Sequence, residues 1–162
     1  MLQITEIYIS LQGESTHAGL PCVFVRLTGC NLRCSWCDSE YTFHGGTRQS
    51  IDQVLAEVER VSPRRGLVEI TGGEPMLQER EVVPLMSRLI AAGYTVLLET
   101  SGERPLHSVP AEVRKIVDVK CPHSGAAETF HAANLDALRP HDEIKFVLSD
   151  RADYEFARDF TL

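Results

Sequence analysis

Three cysteines fall within eight positions of one another, in the run Cys30-Asn-Leu-Arg-Cys34-Ser-Trp36-Cys37. Thiolates are soft ligands, and thiols spaced this closely can converge on one metal centre. An iron–sulfur cube held by only three protein thiolates keeps one iron open for chemistry. The alternative is zinc, with Cys22 as a fourth ligand. Structural zinc, however, usually draws on two close pairs well separated in sequence. Cys22 opens an apolar stretch where a free thiol behaves as a small apolar side chain, and Cys121 reads as an ordinary buried or loop thiol. The spacing favours the cluster.

Other residue types along the chain could serve such a centre. Gly72-Gly73-Glu74-Pro75 would on its own be only a turn, because Gly and Pro punctuate loops. Two adjacent glycines nevertheless allow close approach to the backbone, and Glu74 can accept hydrogen bonds from an ammonium. Ser101 and Lys120 each follow an apolar run, although a lysine there is often merely solvated. Arg26 interrupts an apolar segment; it either faces outward or awaits an anion. Trp36 is a surface residue, a core anchor or a wall of the site.

The elements that must position these groups alternate. Gln3–Leu11 and Val23–Thr28 read as strands. A capping box at Ser50-Ile-Asp-Gln53 starts a helix, with Ile51, Val54, Leu55, Val58 and Val61 at helical spacing. Leu67–Thr71 is a short buried strand. A second helix covers about Arg80–Ala92, capped by Gly93. Strands follow at Tyr94–Glu99 and Lys115–Val119, a helical turn at Leu135–Arg139, a strand at Glu143–Ser149 and a last helix at Asp150–Phe160. Strands alternating with helices predict an α/β fold with a parallel sheet and right-handed crossovers. In such a sheet the strands' C-terminal ends open on one edge, so the cysteine loop, Gly-Gly-Glu-Pro, Thr-Ser-Gly and Lys-Cys-Pro are expected at one mouth.

The whole chain narrows the classes further. It has 162 residues and a net charge of −7, with 16 Lys and Arg against 23 Asp and Glu, so no basic field draws it to nucleic acid or anionic lipid. No apolar run approaches the ~20 residues of a membrane span, and no signal pattern opens the chain. The expectation is one cytoplasmic domain over residues 1–162. Clustered cysteines in a reducing compartment point to metal or redox chemistry rather than disulfides.

The cysteine run, with its gaps of three and two residues and an aromatic before the last thiol, resembles the radical S-adenosylmethionine enzymes. A second resemblance is narrower. Leu11-Gln12-Gly13-Glu14-Ser15, Val25-Arg26-Leu27, Gly29–Cys34, Trp36-Cys37-Asp38-Ser39, Thr71–Pro75, Glu99–Gly102 and Asp118–Pro122 are similar to the 7-carboxy-7-deazaguanine synthases. That likeness implies a partial, open parallel β/α barrel in a shortened form. It implies a [4Fe–4S] cluster on Cys30, Cys34 and Cys37, and S-adenosylmethionine contacts from Ser35, Trp36, Cys37, Asp38, Gly73, Glu74, Ser101 and Lys120. It assigns Leu11, Gln12, Gly13, Glu14, Arg26 and Thr71 to a pterin substrate, and Mg²⁺ to Ser39, where the family more often carries Thr.

The implied reaction converts 6-carboxy-5,6,7,8-tetrahydropterin to 7-carboxy-7-deazaguanine with loss of ammonia. An external reductant supplies one electron, and the adenosyl radical so formed takes hydrogen from C6. The substrate suits the residues: a pyrimidinone edge has adjacent N–H donors that one carboxylate can accept, and Arg26 can meet the substrate carboxylate. Two rivals stand against this reading. A glycyl-radical activase would share the cysteines but not Gln12-Gly-Glu14, and a cysteine-zinc module would leave Glu74 and Ser101 without a role. The resemblance also implies a homodimer. It implies that a closing segment found in the family after the last helix is absent from this chain, which ends at Leu162.

Overall fold

The computed structural model describes residues 1–162. In chain order the elements are β1 (Leu2–Leu11), β2 (Pro21–Leu27), β3 (Thr47–Gln49), α1 (Ile51–Val61), β4 (Leu67–Gly72) and α2 (Glu79–Ala91). They continue with β5 (Thr95–Thr100), β6 (Arg114–Asp118), α3 (Asn134–Ala137), β7 (Glu143–Lys145) and α4 (Arg151–Thr161). The sheet has seven strands in the order β3-β1-β2-β4-β5-β6-β7 and stays open at both edges. From β2 to β7 every pairing is parallel, as the alternation predicts. The far side is different: β1 pairs antiparallel with both β2 and β3, so the sheet is mixed.

The strands sort their residues by the two-residue period. Val23, Val25 and Leu27 of β2, Val68 and Ile70 of β4, Val96 and Leu98 of β5 and Val117 of β6 are buried together. They meet Val54 and Val58 of α1 and Val82, Leu85, Met86 and Leu89 of α2, which recur at helical spacing. The intervening residues Phe24, Arg26, Glu69, Thr71, Glu99, Ile116, Asp118 and Lys145 line a cavity on the opposite face. One face is therefore core and the other is site.

Both helix ends that the pattern marks are made as expected. Ser50 Oγ accepts from Gln53 N at 3.2 Å while Gln53 Oε1 accepts from Ser50 N at 2.8 Å. Gly93, at φ +90°, ends α2; its N–H reaches Ile90 O, and Tyr94 N–H reaches Leu89 O.

Three departures have physical causes. Strand β3 carries no apolar alternation and exists through its ladder with β1. The β5–β6 connection, with Pro105 and Pro110, forms no helix; the fully buried Asn134 holds it instead. Asn134 donates to Gly102 O and Arg104 O and accepts from Leu106 N. Strand β7 ends at Lys145 rather than Ser149, because its partner β6 ends at Asp118, opposite Lys145. Behind β6, a fully buried Lys115 meets Asp142 at 2.8 Å and ties the strand to the turn before β7.

Candidate active site

The cysteine loop follows β2 and is held from several sides. Gly29 N donates to Thr42 O at 2.7 Å, and Thr42 Oγ1 donates to Ser39 O at 2.7 Å. Arg33 bridges Cys30 O and Leu32 O and lies 4.1 Å above the Phe43 ring. Ser35 N and Oγ donate to Ser124 O and His123 O, fastening the loop to the turn after β6. Cys30, Cys34 and Cys37 all line the cavity with free, half-buried thiols. Burial pushes the thiols of Cys30 and Cys34 above their ordinary range, so metal loading must release protons.

This donor set fits an open iron–sulfur cluster better than zinc. The only triad of potential ligand atoms all within 4.8 Å of one another is His123, Asp150 and Asp153. The three cysteine sulfurs are therefore spread too widely for one tetrahedral ion, whose Zn–S bonds are about 2.3 Å. Cys22, the remaining zinc ligand to consider, starts β2 while the loop leaves its other end. It is 1% exposed, and burial with the nearby Glu69 charge pushes its thiol up to about 12.

The Gly-Gly-Glu-Pro turn explains itself sterically. A Cβ at Gly72 would lie 2.4 Å from Leu27 O, and one at Gly73 would lie 2.2 Å from Gly29 O and 2.8 Å from Cys30 Cβ. The glycines let the end of β4 press against the root of the cysteine loop, where Glu74 N donates to Gly29 O at 2.8 Å. Glu74 itself departs from expectation. Its side chain is 1% exposed and does not line the cavity. One oxygen accepts from Thr100 Oγ1 and Met76 N, the other from Ser101 N and Oγ. A carboxylate with four protein donors has little left for an ammonium, so the turn offers the cavity the backbone around Gly73.

The cavity, about 470 Å³, runs from the cysteine loop along the polar face of the sheet. That volume is in the range of small-molecule sites. Gln12, Gly13 and Glu14 reach it although β1 runs against the parallel strands, because the segment after β1 folds over the same face. Gln12 Nε2 donates to Glu69 Oε2, and Glu14 N donates to Gln12 Oε1 at 3.2 Å. Arg26 Nε pairs with Glu6 at 2.9 Å, and Nη2 donates to Tyr8 Oη at 3.0 Å. Thr71 Oγ1 donates to Glu99 at 3.1 Å.

Lys145 is the electrostatic centre of this floor. Its Nζ lies 2.5 Å from Glu14, 2.6 Å from Glu99 and 3.6 Å from Asp118. Those carboxylates hold its pKa above the ordinary lysine value against the opposing effect of burial. Conversely, Lys145 holds Glu99 below the usual carboxylate range despite burial. Glu69 behaves oppositely: burial and the neighbouring Glu99 charge push it up to about 8. Lys120 pairs with Asp118 at 2.9 Å and also lines the cavity.

Of the residues singled out in the sequence, Gln12, Gly13, Glu14, Arg26, Trp36, Asp38, Ser39, Thr71, Gly73, Ser101 and Lys120 line this cavity with the three cysteines. Ser35 and Leu11 do not; Leu11 is 63% exposed at the end of β1. Glu69 and Lys145 were not anticipated, and Glu99 and Asp118 stood only inside motifs without a role. The available signal was a charged residue interrupting each apolar strand, as Arg26, Glu69, Glu99, Asp118 and Lys145 do.

The chain is similar to known proteins over nearly its whole length. A family model described as the Radical SAM superfamily matches residues 24–145. A relative from Koribacter versatilis named 7-carboxy-7-deazaguanine synthase is 71% identical over 160 residues, spanning 99% of this chain and 70% of its own length. One of the same name from Chlorobaculum tepidum is 42% identical, over 98% of this chain and 72% of its own. The crystal structure of QueE from Escherichia coli superposes with a TM-score of 0.82 at 26% identity, covering 99% of this chain and 77% of that one.

Proposed function

The chain belongs to the radical S-adenosylmethionine superfamily and, within it, to the 7-carboxy-7-deazaguanine synthases, and from that premise we propose how its own residues serve the conversion of 6-carboxy-5,6,7,8-tetrahydropterin to 7-carboxy-7-deazaguanine. The observation that carries the proposal is the shared cavity: the three thiols, the Gly73 backbone and the polar floor all open into one space. Reactants bound together in one such space would need little further translational ordering.

Cys30, Cys34 and Cys37 would hold a [4Fe–4S] cluster. When bound, cluster and S-adenosylmethionine supply one-electron cleavage of a carbon–sulfur bond and thereby hydrogen-atom removal from the pterin. The protein's part is binding, orientation and exclusion of water. Trp36, Asp38, the Gly73 backbone, Ser101 and Lys120 line the cavity together with the thiols and suit the nucleoside and methionyl groups. Gln12 and Glu14 suit the pyrimidinone edge, and Arg26 suits the substrate carboxylate, whose charge competes with Glu6 for the guanidinium. Glu14 must exchange Lys145 for the pterin N–H groups. Ser39 Oγ, which lines the cavity 3.8 Å from Cys37 Sγ, suits Mg²⁺ when substrate oxygens complete the shell. A single cytoplasmic domain, acting as a homodimer with an external reductant, completes the reading.

Anaerobic reconstitution tests it. Iron and sulfide should load, spin resonance should report a reduced cluster, and the carboxypterin should yield the deazaguanine with ammonia. Glu14→Ala should lower kcat/KM at least tenfold, about 1.4 kcal/mol. A colourless protein with stoichiometric zinc, or normal turnover by the Glu14 variant, would overturn the assignment.

A further inference from the structure

Glu69 has no place in the site as assigned so far, yet it lines the cavity. It stands on β4 opposite Phe24 of β2 and Leu97 of β5, one row from Thr71, within reach of the charges of Glu99, Lys145 and Arg26. It is 3% exposed. The one hydrogen-bond partner of its carboxyl is the Gln12 amide, and no cation comes within ion-pair distance of it. The nearest lysine, Lys145, is taken by Glu14 and Glu99, and Arg26 is taken by Glu6. A buried carboxyl without a cation, next to one that has a cation, resolves the conflict by keeping its proton.

Gln12 gives this arrangement a purpose. The amide is 4% exposed; its nitrogen is fixed by Glu69 and its oxygen receives Glu14 N–H. A side-chain amide held at both ends cannot flip, so one N–H and one lone pair remain presented in a defined sense. We propose that Glu69 is a positioning residue of the substrate site: it fixes the Gln12 amide and, by carrying a proton, spares the floor a second negative charge beside Glu99, leaving it open to an anionic substrate. This deepens the proposed function and rests on it.

The groups facing Glu69 are Cys22 and Arg26 on β2, Glu99 on β5 and Lys145 on β7. Glu99 stays ionised across neutral pH, Lys145 and Arg26 stay cationic, and the Cys22 thiol stays neutral up to about 12. Glu69, pushed up to about 8, is thus the one group here whose charge changes just above neutrality.

The experiment follows KM for the carboxypterin across pH 8 in the reconstituted wild type, Glu69→Gln and Glu69→Ala, together with the infrared carbonyl band of a protonated carboxyl. In the wild type KM should rise above pH 8 by up to about tenfold per pH unit, the slope of a single proton. Glu69→Gln should abolish that rise. Glu69→Ala should raise KM about tenfold at pH 7 by freeing Gln12, with Glu69→Gln restoring most of the loss. The infrared band should titrate near pH 8 in the wild type and be missing from Glu69→Gln. A basic limb that persists in Glu69→Gln, or no such band in the neutral wild type, overturns the proposal. A wild type that ignores the pterin at every pH instead refutes the proposed function, and the infrared titration still decides whether Glu69 holds its proton.

Discussion

Lys145 shows how much one side chain can organise. It joins Glu14 from the β1–β2 connection, Glu99 from β5 and Asp118 from β6. Replacement by Met keeps the stem and removes the charge, leaving three carboxylates facing one another. Lys145→Met should raise the pterin KM at least tenfold while iron content stays that of the wild type, a split that steady-state kinetics and metal analysis resolve together. The pH dependence of stability should also change. Glu99 is held below its ordinary value of 4.5 in the fold. Its ionised form therefore stabilises the native state above that value, and this contribution is lost as pH falls through the lowered pKa. Urea midpoints should drop in acid for the wild type and drop less steeply for Lys145→Met.

At the scale of elements, β4 and the cysteine loop meet backbone to backbone. An alanine at Gly73 would drive its Cβ to 2.2 Å from Gly29 O, and backbone on both sides cannot yield as a side-chain tip can. Gly73→Ala should destabilise the protein by about 1–3 kcal/mol and lower the iron held per chain, read from thermal melts and iron analysis. This junction was legible in the sequence, because cysteines and paired glycines announce themselves by type. Glu69, Glu99 and Lys145 were not: a charge within an apolar strand acquires meaning only once the face it points to is known. Helices α1 and α2 were readable from their period and caps. Strand β3 was not, since its pairing with β1 lies outside its own three residues. The antiparallel placement of β1 was hidden for the same reason, and with it the route by which Gln12 and Glu14 reach the cavity.

Across the whole molecule, stability and chemistry come from opposite sides of the same strands. Ile70 is fully buried in the apolar cluster, whereas Thr71, the next residue, lines the cavity and bonds Glu99. Ile70→Ala should cost about 2–5 kcal/mol in urea denaturation, yet the folded fraction should keep the wild-type pterin KM. Thr71→Val should do the reverse, holding stability within about 1 kcal/mol while KM rises. The two sets of residues are interleaved along each backbone like odd and even numbers. Selection can accordingly retune which small molecule is accepted by drifting one set, without renegotiating the scaffold. The same interleaving carries a liability: a one-residue slip of β4 would turn that strand inside out, presenting Val68 and Ile70 to the reactants and Glu69 to the helices.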